Sequence, residues 1–169
     1  LPIPRELTQL MSMTSKELDD EVISKCRTGL IRAIKGFNRS NGNQCFLMSW
    51  EGFSGDPLIG YRNAGIIARH LRKIMESFDV YIIVYLRRQD DFIESLYTQK
   101  IQEGESYTFQ TFAETYSASQ FDWERLLRCY SKCFGREKIF ARRYDKAFLP
   151  EKDSLLKDFA HIIGIHFFR

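Results

Sequence analysis

Arg87 and Arg88 follow an apolar run, Val80-Tyr81-Ile82-Ile83-Val84-Tyr85-Leu86, and Ser95 stands eight residues after Arg87. A guanidinium is a planar fork of donors suited to phosphate or carboxylate. A serine hydroxyl adds a further donor if the turn folds the next helix back over the strand end. Backbone N–H groups and the helix dipole at that helix start would strengthen the attraction for an anion. The chemistry on offer is anion binding. For a strand-end Arg pair taken alone, the commoner reading is two solvated arginines paired with Asp90 and Asp91.

Glu51 is the second candidate. It follows Cys45-Phe46-Leu47-Met48, read as a short buried strand, and precedes Gly52. A carboxylate at a sheet edge can act as a general base. The residues alone favour a plainer loop glutamate, solvated or paired with an arginine. Ser49, Ser54 and the glycines of Ser49-Trp50-Glu51-Gly52-Phe53-Ser54-Gly55 offer backbone approach to an anion. Their spacing is not that of a Walker-type phosphate loop, and an ordinary turn is the simpler reading. Arg142, Arg143 and Tyr144 end another strand, where they line the same edge or merely flank it.

The elements that must position these groups follow from periodicity. The run at Val80–Leu86 is β-branched and aromatic, as in a strand buried on both faces. Phe92, Ile93, Leu96, Tyr97 and Ile101 then recur with helical spacing. Asp91, Ser95, Thr98 and Gln102 line the other face, and Asp90 sits where an N-cap is expected. Upstream, a loop over 1–13 leads to a capping box of Thr14 and Glu17. An apolar stripe through Val22, Cys26 and Leu30 follows, closed by a polar turn over 38–43. A helix is expected over 63–77. Thr108 is expected to cap a short helix, and Asp122 another that Gly135 ends. Lys138–Tyr144 reads as a third strand. Pro150 and Asp153 precede a last helix stopped by Gly164. The order α β α β α α α β α predicts an α/β fold with parallel strands flanked by helices. In such sheets, ligands bind beyond the carboxyl ends of the strands.

The 169 residues suit a single domain. The net charge of +3 is too mild to argue for general nucleic-acid binding. Cys26, Cys45, Cys129 and Cys133 form no CxxC motif, and His70, His161 and His166 are scattered, so no metal site is expected. No segment approaches the roughly 20 apolar residues of a membrane span, and no signal peptide is visible. Reduced thiols and the missing signal lead to a cytoplasmic expectation. The chain opens on Leu1, not Met, and three strands make a thin sheet for this much helix. Truncation at one or both ends is expected, with a further strand upstream.

Leu86-Arg87-Arg88-Gln89-Asp90-Asp91-Phe92-Ile93-Glu94-Ser95-Leu96-Tyr97 resembles the 3′-phosphate-binding strand-turn-helix of sulfotransferases that use 3′-phosphoadenosine 5′-phosphosulfate. Many members carry Arg-Asn-Pro after the strand. The Arg-Arg-Gln here is similar to a bacterial sulfotransferase-like group. Ser49–Gly55 resembles that group's Ser-x-Glu-Gly-x-Ser-Gly segment. Phe121-Asp122-Trp123 through Phe134-Gly135, and then Ile139–Tyr144, resemble its later helix and final strand. The likeness runs from Ser49 to Gly164.

The resemblance implies a P-loop-nucleotide-hydrolase-like sulfotransferase fold. It also implies transfer of a sulfuryl group to a hydroxyl or amine acceptor, such as a saccharide or small metabolite. Arg87 and Ser95 would hold the 3′-phosphate, Glu51 would deprotonate the acceptor, and adenosine 3′,5′-bisphosphate would be the product, with no metal. The family's phosphosulfate loop, rich in Gly and Thr and bearing a Lys, is not among these residues and is expected upstream of Leu1. Without it, the fold would serve as a non-catalytic nucleotide-binding or protein-interaction module. A third reading, a kinase of related topology, needs a metal-binding aspartate at a strand end. Asp79 and Asp145 are the residues available for it.

Overall fold

The computed structural model describes residues 19–37, 45–116, 120–145 and 154–164. The loop expected over 1–13, the capping box at Thr14 and Glu17, the turn over 38–43, and Pro150 with Asp153 lie outside them. The described chain forms a mostly helical α/β structure with a two-stranded parallel sheet packed against helices. It divides into two compact units. One comprises Leu1–Val80 with Glu124–Arg136, and the other Tyr81–Trp123 with Glu137–Arg169.

In the first unit, α1 spans Asp20–Phe37 and α2 spans Ala64–Ile74. Asp19 caps α1, its carboxylate accepting from the Glu21 N–H at 2.6 Å. Cys26 and Leu30 of the expected stripe are buried, while Val22 is half-buried and the neighbouring Ile23 is buried in its place. Ala64, Ile67, Ala68, Leu71 and Ile74 form the apolar face of α2. Most of α5, which spans Trp123–Phe134, also belongs here and buries Leu126, Tyr130 and Phe134 at i, i+4 and i+8. Side chains of this kind contribute about 1.5–3 kcal/mol each when fully buried. Arg27 adds a polar tie between helices, donating to the Lys73 carbonyl at 2.7 Å and pairing with Glu76 at 2.6 Å.

The strand expected at Cys45–Met48 is corrected by the structure. These residues pair with no described strand, and Leu47 is 50% exposed. A strand needs a neighbour for its backbone groups, and a short apolar run carries no information about one.

In the second unit, β1 spans Ile82–Leu86 and β2 spans Ile139–Arg143. They pair in parallel, from Ile82 opposite Ile139 to Leu86 opposite Arg143. The parallel arrangement agrees with the alternation of strands and helices. Complete burial of β1 does not: its residues are half-buried, and Tyr81 before it is 56% exposed. Two strands leave each with an edge that no described residue pairs.

Helix α3 spans Gln89–Gln102, α4 spans Phe109–Thr115 and α6 spans Ser154–Ile162. Thr108 caps α4 as expected, accepting from the Thr111 N–H at 3.2 Å. The expected N-cap of α3 moves by two residues. Arg88 holds that position, and Asp90 lies in the first turn, where its carboxylate accepts from the Asp91 N–H at 3.0 Å. Ile93 and Leu96 of α3, Phe112 of α4, Phe121 and Ala160 of α6 make up the buried core of this unit.

Candidate functional site

The second unit places Arg87 immediately beyond the carboxyl end of β1. Its backbone is held from both sides. The Leu86 carbonyl accepts from the Tyr144 N–H at 2.8 Å, continuing the ladder past β2. The Arg87 carbonyl accepts from the Trp123 indole N–H at 2.8 Å. Trp123 is fixed in turn by Phe92, whose ring meets it and Phe121 edge-on at 5.3 and 4.9 Å between centroids. The Gln89 side chain donates to the Phe121 carbonyl at 3.2 Å. The turn between β1 and α3 is thus buttressed by an aromatic cluster and three hydrogen bonds.

The Arg87 guanidinium lies over the Tyr144 ring, 4.6 Å from its centroid. Arg88 has a different role. It grips Asp90 through two nitrogens at 3.1 and 2.5 Å and is exposed. That contact, with the Asp91 N–H, holds the Asp90 carboxyl below the usual carboxylate range. Of the two arginines, Arg88 therefore follows the plainer reading. Arg142 and Arg143 do stand at the same sheet end, as their register opposite Tyr85 and Leu86 requires. They pair with Asp158 at 3.5 Å and Asp145 at 3.2 Å. Asp158 also accepts from the Tyr85 hydroxyl at 2.6 Å, and burial together with this bond pushes the Tyr85 phenol pKa up.

Ser95 is half-buried on α3, two turns after Arg87. Arg87 and Ser95 line one cavity of about 420 Å³, together with Asp91, Glu94, Thr98, Gln99 and Gln102. The polar stripe read as Asp91, Ser95, Thr98 and Gln102 is the wall of this cavity. Glu94 and Gln99 complete it and were not read from the sequence; their i, i+4 offsets from Asp90 and Ser95 are the signal that places them beside that stripe. All seven residues are polar. Arg87, Ser95, Thr98 and the glutamines can donate hydrogen bonds. Asp91 and Glu94 can accept from hydroxyl or amino groups.

The first unit holds Glu51. It is exposed and opens a short 3-10 turn, Glu51–Ser54. It does not end a strand, because none forms at 45–48. The segment around it is nonetheless tightly built. The Trp50 ring lies over Gly52, where a Cβ would stand 2.4–2.6 Å from three ring atoms. Gly55 has φ 105 and backs onto Asn63, whose side-chain oxygen accepts from the Asp56 N–H at 3.0 Å. The Tyr130 hydroxyl donates to the Phe53 carbonyl, and Arg125 donates to the Gly60 carbonyl at 2.8 Å. The Tyr61 phenol pKa is pushed up to about 12 by burial and by the charges of Glu51 and Asp56. Tyr61 was not singled out from the sequence, where only the neighbouring Gly60 hints at an unusual backbone.

No family model matches the chain, and no solved structure matches it. Among curated proteins, the chain is similar to an uncharacterized protein of Archaeoglobus fulgidus, 33% identical over 94 residues. That match covers 56% of this chain and 25% of the relative, so the chain spans about a quarter of the length of the protein it matches. No helix among the described residues is long and apolar enough to cross a membrane.

Proposed function

We propose that this chain carries the 3′-phosphate-binding part of a sulfotransferase that uses 3′-phosphoadenosine 5′-phosphosulfate. The acceptor would be a hydroxyl or amine on a saccharide or small metabolite. The finer fold proposed with it is the P-loop-like sulfotransferase fold. One observation carries the reading. An arginine at the carboxyl end of a parallel strand and a serine two turns into the next helix line one polar cavity. The cavity's size is within the range of small-molecule sites.

The residues fit the nucleotide in kind. Arg87 offers a forked pair of donors and Ser95 a hydroxyl, both suited to a terminal phosphate. Asp91 and Glu94 would repel a phosphate placed against them. They suit the hydroxyl and amino groups of a nucleoside, and so orient the ligand with its phosphate toward Arg87. The donor supplies the sulfuryl group. In the first unit, Glu51 is the proposed base. A carboxylate of this kind can take a proton from a hydroxyl or amine acceptor.

Calorimetric titration of adenosine 3′,5′-bisphosphate into the protein, with Arg87→Ala as control, tests the site. Micromolar binding that is lost in the variant supports it. Equal affinity in a folded Arg87→Ala protein, or no binding by the unaltered protein, removes the nucleotide site. The second result would leave a non-catalytic interaction module as the better reading.

A further inference from the structure

Asp91 stands four residues after Arg87 and four before Ser95. Helix α3 begins at Gln89, so Asp91 and Ser95 share one of its faces, about 6 Å apart along the axis. All three residues line the same polar cavity. Among the described residues, the Arg87 guanidinium, the Asp91 carboxylate and the Ser95 hydroxyl form no hydrogen bond or ion pair. Their neighbours are committed elsewhere. The Thr98 hydroxyl donates to the Glu94 carbonyl at 2.9 Å, and the Gln99 side chain donates to Glu103 at 2.9 Å. Arg88, whose charge Asp91 also feels, is gripped by Asp90. Unlike charges that share a cavity without closing on each other leave room for a ligand between them.

A phosphate seated between Arg87 and Ser95 must lie beside the Asp91 carboxylate. Two anions in contact repel, and more strongly away from bulk water. A hydroxyl carried by the ligand next to its phosphate removes the conflict, because its O–H can donate to the carboxylate. In a nucleoside 3′-phosphate that hydroxyl is the ribose 2′-OH, on the adjacent carbon and the same ring face. Glu94, the other acid of the wall, is turned about 100° around the helix from Ser95 and is not flanked by both phosphate-binding residues. We propose that Asp91 reads the ribose 2′-hydroxyl, so that the cavity takes ribonucleoside 3′-phosphates and rejects their 2′-deoxy counterparts. This rests on the nucleotide reading of Arg87 and Ser95, and deepens it from a phosphate site to one selective for ribose. A 2′-deoxy ligand presents a C–H at this point, which leaves the carboxylate facing the phosphate with no donor between them.

The test is calorimetric titration of adenosine 3′,5′-bisphosphate and of 2′-deoxyadenosine 3′,5′-bisphosphate into the whole chain. The ribose form should bind about tenfold to a hundredfold more tightly, the worth of a hydrogen bond to a charged group. Asp91→Ala should bring the two affinities together, partly by tightening the deoxy probe as the repulsion is removed. Asp91→Asn keeps an acceptor oxygen without the charge and should retain part of the preference. Glu94→Ala should keep the preference while removing a charge from the same wall. Equal affinity of the two probes for the unaltered protein overturns the proposal and leaves the nucleotide site standing. Failure of both probes to bind removes the nucleotide site and the proposal with it. Asp91 also sits in the first turn of α3, where a carboxylate complements the helix dipole. If that were its whole role, Asp91→Ala would lower the thermal midpoint and keep the full ribose preference, which overturns the proposal. Loss of the preference in Glu94→Ala but not in Asp91→Ala overturns it as well.

Discussion

The guanidinium of Arg87 rests 4.6 Å from the centroid of the Tyr144 ring, so the residue after β1 is steered by the residue after β2. A cation over an aromatic face gains about 0.5–1 kcal/mol at a partly exposed site. Tyr144→Leu should therefore keep the charge but release its direction. Calorimetry should show adenosine 3′,5′-bisphosphate binding weakened about two- to fivefold, against complete loss in Arg87→Ala. Equal affinity in Tyr144→Leu would mean that the ring does not position the arginine.

Trp123 acts on the same residue through the backbone. Trp123→Phe keeps most of the ring contact with Phe92 and deletes the N–H that meets the Arg87 carbonyl. The expected loss is about 1 kcal/mol of stability, read as a lower urea midpoint. Nucleotide affinity should also fall, because the turn carrying Arg87 loses a tether. A midpoint shift without an affinity change would confine Trp123 to folding.

Alkaline titration should expose Tyr61. Its phenol ionises at about 12 in the folded chain, above the ordinary value near 10. Between those values the folded state holds the proton more tightly than the unfolded state. This contribution is complete below pH 10 and is lost as pH rises through 12, by up to roughly 2–3 kcal/mol. Tyr61→Phe should flatten the fall in urea midpoint between pH 9.5 and 11.5. Some slope should remain, because the Tyr85 and Tyr130 phenols are also pushed up. An unchanged slope in the variant would show that Tyr61 ionises freely.

Gly52 and Trp50 form a testable pair. Gly52→Ala drives a methyl into the indole ring and should cost about 1–3 kcal/mol, as overpacking does. Trp50→Ala removes the obstacle, so adding Gly52→Ala to it should cost far less than in the wild type. Additive thermal shifts in the double-mutant cycle would refute the contact.

The β1–turn–α3 passage was legible because its signals are local. An apolar β-branched run gives way within two residues to a period of 3.6, and the polar stripe of that helix predicts the cavity wall. Thr108 as a cap and Gly135 as a helix stop were legible for the same reason. Pairing is not local. Cys45–Met48 has the composition of a strand, but nothing in four residues reveals whether a neighbour exists. Asp90 had the right residue type for an N-cap, yet Arg88 captures its carboxylate and the helix starts two residues earlier. The two arginines looked equivalent as a pair; Asp90 takes Arg88, and Tyr144, distant in the chain, takes the Arg87 guanidinium. Tyr61 gave no warning because its backbone is imposed by Asp56, Asn63 and Arg125 rather than by its own preference.

The parallel register has a consequence for how the chain acquires its shape. Ile82 meets Ile139 only after α3, α4 and α5 have been threaded between them. A hairpin closes early because its strands are neighbours, but this ladder must first absorb the entropy of a long closed loop. Arg87 gains its seat over Tyr144 only when that closure is complete. Formation of the cavity is then among the late events of refolding. A stopped-flow signal from the β1–β2 junction should trail the signals of helix formation.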